Sequence, residues 1–254
     1  MPSSAIQFGT IETTGSLHDR VTRKLALQLI EAERRSAQVI LPNEADLCKQ
    51  LGVSRSILRE AVKVLEDKGL LEVRPRSGTR SKPRSEWHLL DPDVLGWQAE
   101  TQMDPRLLRD LCEVRLAIEP TASGFAALRA TAAEITFIES CLEQWEGLAK
   151  TSDPDEAIRL NLQFHEAVVK ASHNPLFQQL NASIRQPLRA ALSCTLQLPA
   201  SPALEFEAHR SLFQAIQRRD PLAARAASEE IVGFAMLAVE QAIRTGKNAK
   251  GRRP

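Results

Sequence analysis

Apolar residues recur at helical spacing from the first third of the chain onward. Leu17, Val21, Leu25, Leu29 and Ile30 fall on one stripe and predict a helix over about 17–33. The run VILPN breaks the pattern, with Pro42 as punctuation. Asn43 can cap a short helix carrying Ala45, Leu47, Cys48 and Leu51. Gly52 ends it, because glycine enters the left-handed region without a Cβ penalty. Ser54 caps a second helix striped by Ile57, Leu58, Ala61, Val62 and Leu65, and Gly69 closes that one. LLEV then reads as a short strand, RPRSG as a turn and TRSK as a weaker return strand. Helix, short helix, glycine turn, helix and hairpin make a winged helix-turn-helix over residues 17–82, preceded by a Ser/Thr/Gly-rich arm at 1–16.

The composition changes at SKPRSEWHLLDPDVLGW, so residues 83–103 read as a linker, with Trp87 and Trp97 as anchors. Beyond it the period is helical almost everywhere. A long helix from Asp104 turns Leu107, Leu108, Leu111, Val114, Ile118, Ala122 and Phe125 inward, and Pro120 removes one backbone hydrogen bond within it. Further helices fit about 132–150, 153–173, 175–196, 201–219 and 220–245, with Pro154, Pro175, Pro202 and Pro221 just inside their starts. Residues 104–245 therefore form an all-α antiparallel bundle, followed by a basic tail at 246–254. The expected fold class is mainly α, an N-terminal winged helix-turn-helix joined to a C-terminal helix bundle.

Composition adds a partition of charge. The 254 residues carry a net charge of only +1. Residues 1–84, however, hold 15 Lys/Arg against 10 Asp/Glu, whereas residues 85–243 hold 13 against 22. A basic first third on an acidic body suits a polyanion partner for one module only; chance clustering is the other reading. Tyrosine is absent and aromatics are 4% of residues, which weighs against an all-β fold. The four cysteines have no C-x-x-C spacing, no apolar run approaches the roughly 18 residues of a membrane span, and the first residues lack a secretory pattern. A reduced, cytoplasmic protein with no membrane partner is expected.

The second helix of the winged motif presents Ser54, Arg55, Ser56 and Arg59 at the end that enters the major groove in this architecture. Arginine forks match guanine O6/N7 and phosphate alike, and a helix N-terminus attracts phosphate. The hairpin tip carries Arg74, Arg76, Gly78 and Arg80, able to approach an adjacent minor groove. A lone arginine on a helix is ordinarily a solvated face; the joint pattern favours DNA.

The segment LPNEADLCKQLGVSRSILREAVKVLEDKGLLEVRPRSGT resembles the DNA-binding domain of the GntR family of bacterial transcription regulators, whose L-P-x-E-x-x-L, G-V-S-R-x-x-x-R-E-A and G-L-x-x-V-x-x-x-x-G-T marks it nearly completes. By that resemblance Arg55 and Arg59 read the operator, Ser54 and Ser56 flank them, and Gly78 sits at the wing tip. Ala45 stands where the family often has a DNA-contacting arginine. Arg80 and Ser81 stand where it has an apolar residue and valine. The second half, through EVRLAIEP, NLQFHEAVVKASHNPL and EAHRSLFQAI, resembles the FCD effector domain of the FadR-type branch. WHLLDPDVLGWQAE with DPRLLRDLCEVR is similar to the aldonate-responsive repressors within it.

Many members of that branch bind a divalent metal through Asp or Asn, a histidine four residues on and two further histidines. Asn161 and His165 share a helix face at that spacing. His209 matches the second histidine, and the third falls at Ile231, which cannot ligate. A zinc or similar ion on Asn161, His165 and His209 would therefore be weakly held, and no cofactor is certain. Each histidine can equally be a satisfied core residue. An inward Arg115 needs an anion: the carboxylate of a small effector, with Asn161, His165 and His209 on its hydroxyls, or else Glu113 or Glu119 on its own helix.

No G-x-S-x-G, P-loop or G-x-G-x-x-G motif occurs, so an enzyme is not expected. The leading expectation is a homodimeric repressor of a sugar-acid operon that binds double-stranded DNA and is released by a small carboxylate, an aldonate such as galactonate. Alternatives are a regulator of the same family answering to a hexuronate, lactate or acyl derivative, a metal-dependent enzyme with a nucleic-acid tether, and an architectural DNA-binding protein without effector.

Overall fold

The computed structural model describes residues 16–74, 78–101, 105–148, 153–195 and 202–250. The chain divides into two compact units, Met1–Gln102 and Met103–Pro254.

The first unit opens with α1 (Leu17–Arg34), whose start is capped by the Ser16 hydroxyl accepting the Asp19 amide. Asn43 caps α2 (Glu44–Leu51), and Gly52 ends it at φ +66°. Ser54 caps α3 (Arg55–Asp67). The wing follows as β1 (Leu71–Arg74) and β2 (Gly78–Ser81), antiparallel with Leu71 opposite Ser81 and Arg74 opposite Gly78. Val21, Leu25 and Leu29 of α1 bury against Leu47, Leu51, Leu58, Ala61, Leu65 and Leu70.

β2 forms although its sequence breaks the apolar alternation, and the reason is local. Ser81 is buried, yet its hydroxyl accepts the Val39 amide at 2.9 Å and its own amide donates to the Val39 carbonyl at 2.8 Å. The Leu41 amide donates to the Thr79 carbonyl at 2.9 Å. Residues 39–41 thus line the outer edge of β2 and satisfy a polar group at an apolar position.

Within residues 83–103, expected as a linker, residues 84–100 hold regular structure belonging to the first unit. A 3-10 turn (Arg84–Glu86) leads to α4 (Pro92–Glu100), which Asp91 caps with Pro92 in its first turn. Trp87, Val94 and Trp97 join the first core, and the Trp87 indole N–H donates to the Lys82 carbonyl. Lys68, at the end of α3, reaches Asp91 and Asp93 at 2.8 and 2.9 Å.

The second unit is all helical: α5 (Pro105–Arg129), α6 (Ala132–Leu148), α7 (Pro154–Ala171), α8 (Pro175–Thr195), α9 (Pro202–Gln217) and α10 (Pro221–Lys250). α5 continues unbroken through Pro120. The neighbours α6–α7, α7–α8 and α9–α10 pack together, and α5 packs on α7, α9 and α10. Short connections make consecutive neighbours antiparallel. Ile138, Trp145, Phe164, Leu212, Phe213 and Ile216 centre the core. α10 runs past residue 245 into the stretch expected as a tail. Among the described residues no helix is long and apolar enough to cross a membrane.

Candidate functional site

Two groups of polar side chains stand out, one in each unit. On the first, the Ser54 cap bonds the Ile57 amide at 3.4 Å and lies 2.9 Å from the Ser56 hydroxyl, so the serines organise the start of α3. Arg55 and Arg59 extend beside them with side chains 71% exposed. Both turn towards Glu44, the first residue of α2: the Arg59 Nε donates to one carboxylate oxygen at 2.9 Å, and the Arg55 Nε stands 3.8 Å from the other. Sequence reasoning passed over Glu44, although it holds the glutamate position of the L-P-x-E mark.

The wing repeats that arrangement. Glu72 accepts from Arg74 at 3.0 Å and also pairs with Arg80 across the hairpin. Its carboxyl is held below the usual range chiefly by the Arg80 hydrogen bond, which outweighs the upward push of desolvation, and Arg74 adds to the lowering. Gly78 sits at φ +82°, a backbone region that favours glycine, and a Cβ there would meet nothing within 4 Å. Arg76 lies outside the described residues. Ala45, near the start of α2, is exposed.

In the second unit Arg115, Glu119, Asn161, His165 and His209 are all at least nine-tenths buried. They come from α5, α7 and α9. Arg115 donates from Nε to Glu119 at 2.5 Å and from Nη2 to its other oxygen at 3.2 Å. The second Glu119 oxygen also lies 3.2 Å from His165 Nδ1, and His165 Nε2 lies 3.2 Å from His209 Nε2. The Glu119 carboxylate can accept a His165 Nδ1–H, and which Nε2 donates within the histidine pair depends on the tautomer. Burial pushes the Glu119 carboxyl upward, but the Arg115 guanidinium and His165 outweigh it and hold the group well below the carboxylate range. Trp145 and Phe164 pack edge-on against His209, closing an aromatic wall around the pair. Asn161 lies one turn before His165 on α7 and is also buried.

Of the two anions open to Arg115 in the sequence, Glu119 is the one that engages it here, and Glu113 is exposed. Glu119 is the member that sequence reasoning left out of the site; its signal was the i, i+4 spacing from Arg115. Ile231, the third-histidine position, is buried in the apolar core. Two imidazoles and one neutral amide are a poor set for a tightly held divalent ion. Among the described residues no three His, Cys, Asp or Glu side chains are grouped to hold one.

A winged helix with paired arginines at its recognition end, on a chain with a separate helical unit, defines a DNA-binding transcription regulator. Residues 17–80 match the bacterial regulatory proteins of the gntR family, and residues 110–234 match the FCD domain. The chain belongs to the gntR family of bacterial regulatory proteins and carries an FCD domain. It is 36% identical over 211 residues to the galactonate operon transcriptional repressor of Escherichia coli (strain K12), spanning 83% of this chain and 91% of that protein. To the Glc operon transcriptional activator of the same strain it is 29% identical, over 76% of this chain and 77% of that one. The solved structure of Streptococcus agalactiae GntR is similar with a TM-score of 0.51 and 29% identity, covering 88% of this chain and all of that one.

Proposed function

We propose that the protein is a cytoplasmic, homodimeric repressor of a sugar-acid catabolic operon, released from its operator by an aldonate of the galactonate type. The observation that carries the reading is the buried polar cluster in the FCD unit. A helix bundle built only to hold two DNA-binding units together gains nothing from burying Arg115, Glu119, Asn161, His165 and His209 side by side, since such groups desolvate at a cost. A polyhydroxy acid suits such a mixed set of donors and acceptors. Its hydroxyls bond Asn161, His165 and His209, and its carboxylate shares the Arg115 guanidinium with Glu119. The likeness to the galactonate operon repressor supports this ligand class. Recognition is direct, because the donor set is too poor to hold a metal as intermediary.

Calorimetry of the full chain with galactonate, a hexuronate and lactate tests the assignment. Galactonate binds most tightly of the three, Asn161→Ala and His165→Ala each weaken it by about 1–3 kcal/mol, and EDTA leaves it unchanged. Absence of heat with every sugar acid removes the ligand class, and loss of binding in EDTA restores the metal.

A further inference from the structure

We propose that Glu44 is a specificity-determining residue of the DNA-binding surface, holding Arg55 and Arg59 in the pose that reads base edges. The proposal rests on the assignment of α3 as the recognition helix and adds a group that touches no base.

Both arginines meet Glu44 on the same side of their guanidinium groups, through Nε, at 2.9 Å for Arg59 and 3.8 Å for Arg55. A guanidinium has two edges able to donate in parallel, one made of Nε and one Nη, the other of the two Nη groups. A carboxylate at Nε, hydrogen-bonded to Arg59 and ion-paired with Arg55, takes up the first edge and leaves the second for another acceptor. The pair of Nη groups can still grip guanine O6 and N7 together. A phosphate approaching the Nε side meets a carboxylate instead, and like charges repel. Glu44 therefore favours base contact over backbone contact for the same two cations.

Its placement makes the effect dependable. Glu44 is the first residue of α2, where the helix dipole favours a negative charge, and its side chain is 35% exposed, about half as exposed as the arginines it holds. Long arginine side chains lose considerable rotamer freedom on binding, and a partner that restricts them beforehand lowers that cost. Glu72 with Arg74 and Arg80 shows the same one-carboxylate, two-arginine grouping on the wing.

The test uses the full chain, a duplex selected by the wild-type protein from a random-sequence library, and a random duplex of equal length. In Glu44→Gln the ratio of selected to random affinity falls about tenfold, and random-duplex binding becomes more dependent on salt. Glu44→Asp keeps the charge at the start of α2 but withdraws the carboxylate by one methylene, and the ratio falls there too. In an Arg55→Ala/Arg59→Ala background, Glu44→Gln leaves the ratio unchanged, because Glu44 acts through those arginines. An unchanged ratio in both single variants overturns the proposal, as does an effect that persists without the arginines. Failure of the recognition-helix assignment is read separately: Arg55→Ala/Arg59→Ala then retains full preference for the selected duplex.

Discussion

Arg115 and Glu119 illustrate how far a single ion pair can be read. Each side chain is only 4% exposed, so solvent screens neither. Removing one partner strands the other charge in the bundle. Arg115→Ala is expected to destabilise the FCD unit by about 3–5 kcal/mol, whereas Arg115→Met/Glu119→Leu is expected to cost less, the remaining loss being the His165 partner. Chemical denaturation of the single and double variants checks this, and a double variant as unstable as the single would contradict it. Loss of effector response in Arg115→Ala alone is therefore no measure of carboxylate binding. The same pair sets an acid dependence. The folded-state carboxyl of Glu119 titrates below its ordinary 4.5, so its contribution is complete above about that pH and is lost as pH falls through the folded value. The stability gap between wild type and Glu119→Gln narrows from pH 6 to pH 3; a gap that stays constant would show that Glu119 is not ionised in the fold. The family resemblance pointed to Asn161 and His165, and helical spacing placed Arg115 inward. Neither exposed the link from Glu119 to His165, because that link crosses from α5 to α7 and no local pattern encodes a contact of that range.

At the scale of elements, the helices were legible because most combine an apolar stripe with a capping residue or a proline or glycine boundary. α4 was not read, although Asp91 and Pro92 are ordinary start signals. Nine residues with Gly96 inside them present too short a stripe, and the burial of Val94 and Trp97 is decided by packing on α1 rather than locally. Gly69 is the hinge of that packing. It takes φ +80°, and a Cβ there would come within 2.5 Å of the Glu86 carbonyl oxygen and 3.2 Å of the Trp87 Cα. Gly69→Ala combines backbone strain with a clash against backbone atoms that cannot swing aside. It is expected to cost about 2 kcal/mol or more and to loosen residues 84–100 from α3. Amide hydrogen exchange should then rise in α4 ahead of α1; protection unchanged at Trp87 and Val94 would mean that the segment holds itself without this approach. Wing strand β2 teaches the reverse lesson. Its polar Ser81 looked unfit for an inner strand position, and the Val39 amide, more than forty residues away in the chain, makes it fit.

For the whole molecule, the proposed function requires that two ligands compete through the protein rather than for one surface. The arginines of α3 and the polar cluster of α5, α7 and α9 belong to different compact units, so an aldonate cannot displace DNA by occupying its site. It lowers operator affinity only if it binds the DNA-free state more tightly than the DNA-bound one. Linkage then demands reciprocity: whatever factor the effector takes from operator affinity, saturating operator takes from effector affinity. A typical allosteric coupling of about 1–3 kcal/mol corresponds to roughly 5–150-fold in each direction. A dimer on a two-fold operator carries two such sites, and light scattering at micromolar concentration should return twice the chain mass both free and on DNA. Fluorescence anisotropy of a labelled operator gives one factor, and calorimetry of galactonate into free and operator-bound protein gives the other. Equal factors establish that both ligands bias one equilibrium. A large fall in operator affinity with no matching fall in galactonate affinity would mean that the released species arises by another route, such as dissociation of the dimer, and the coupling would then vary with protein concentration.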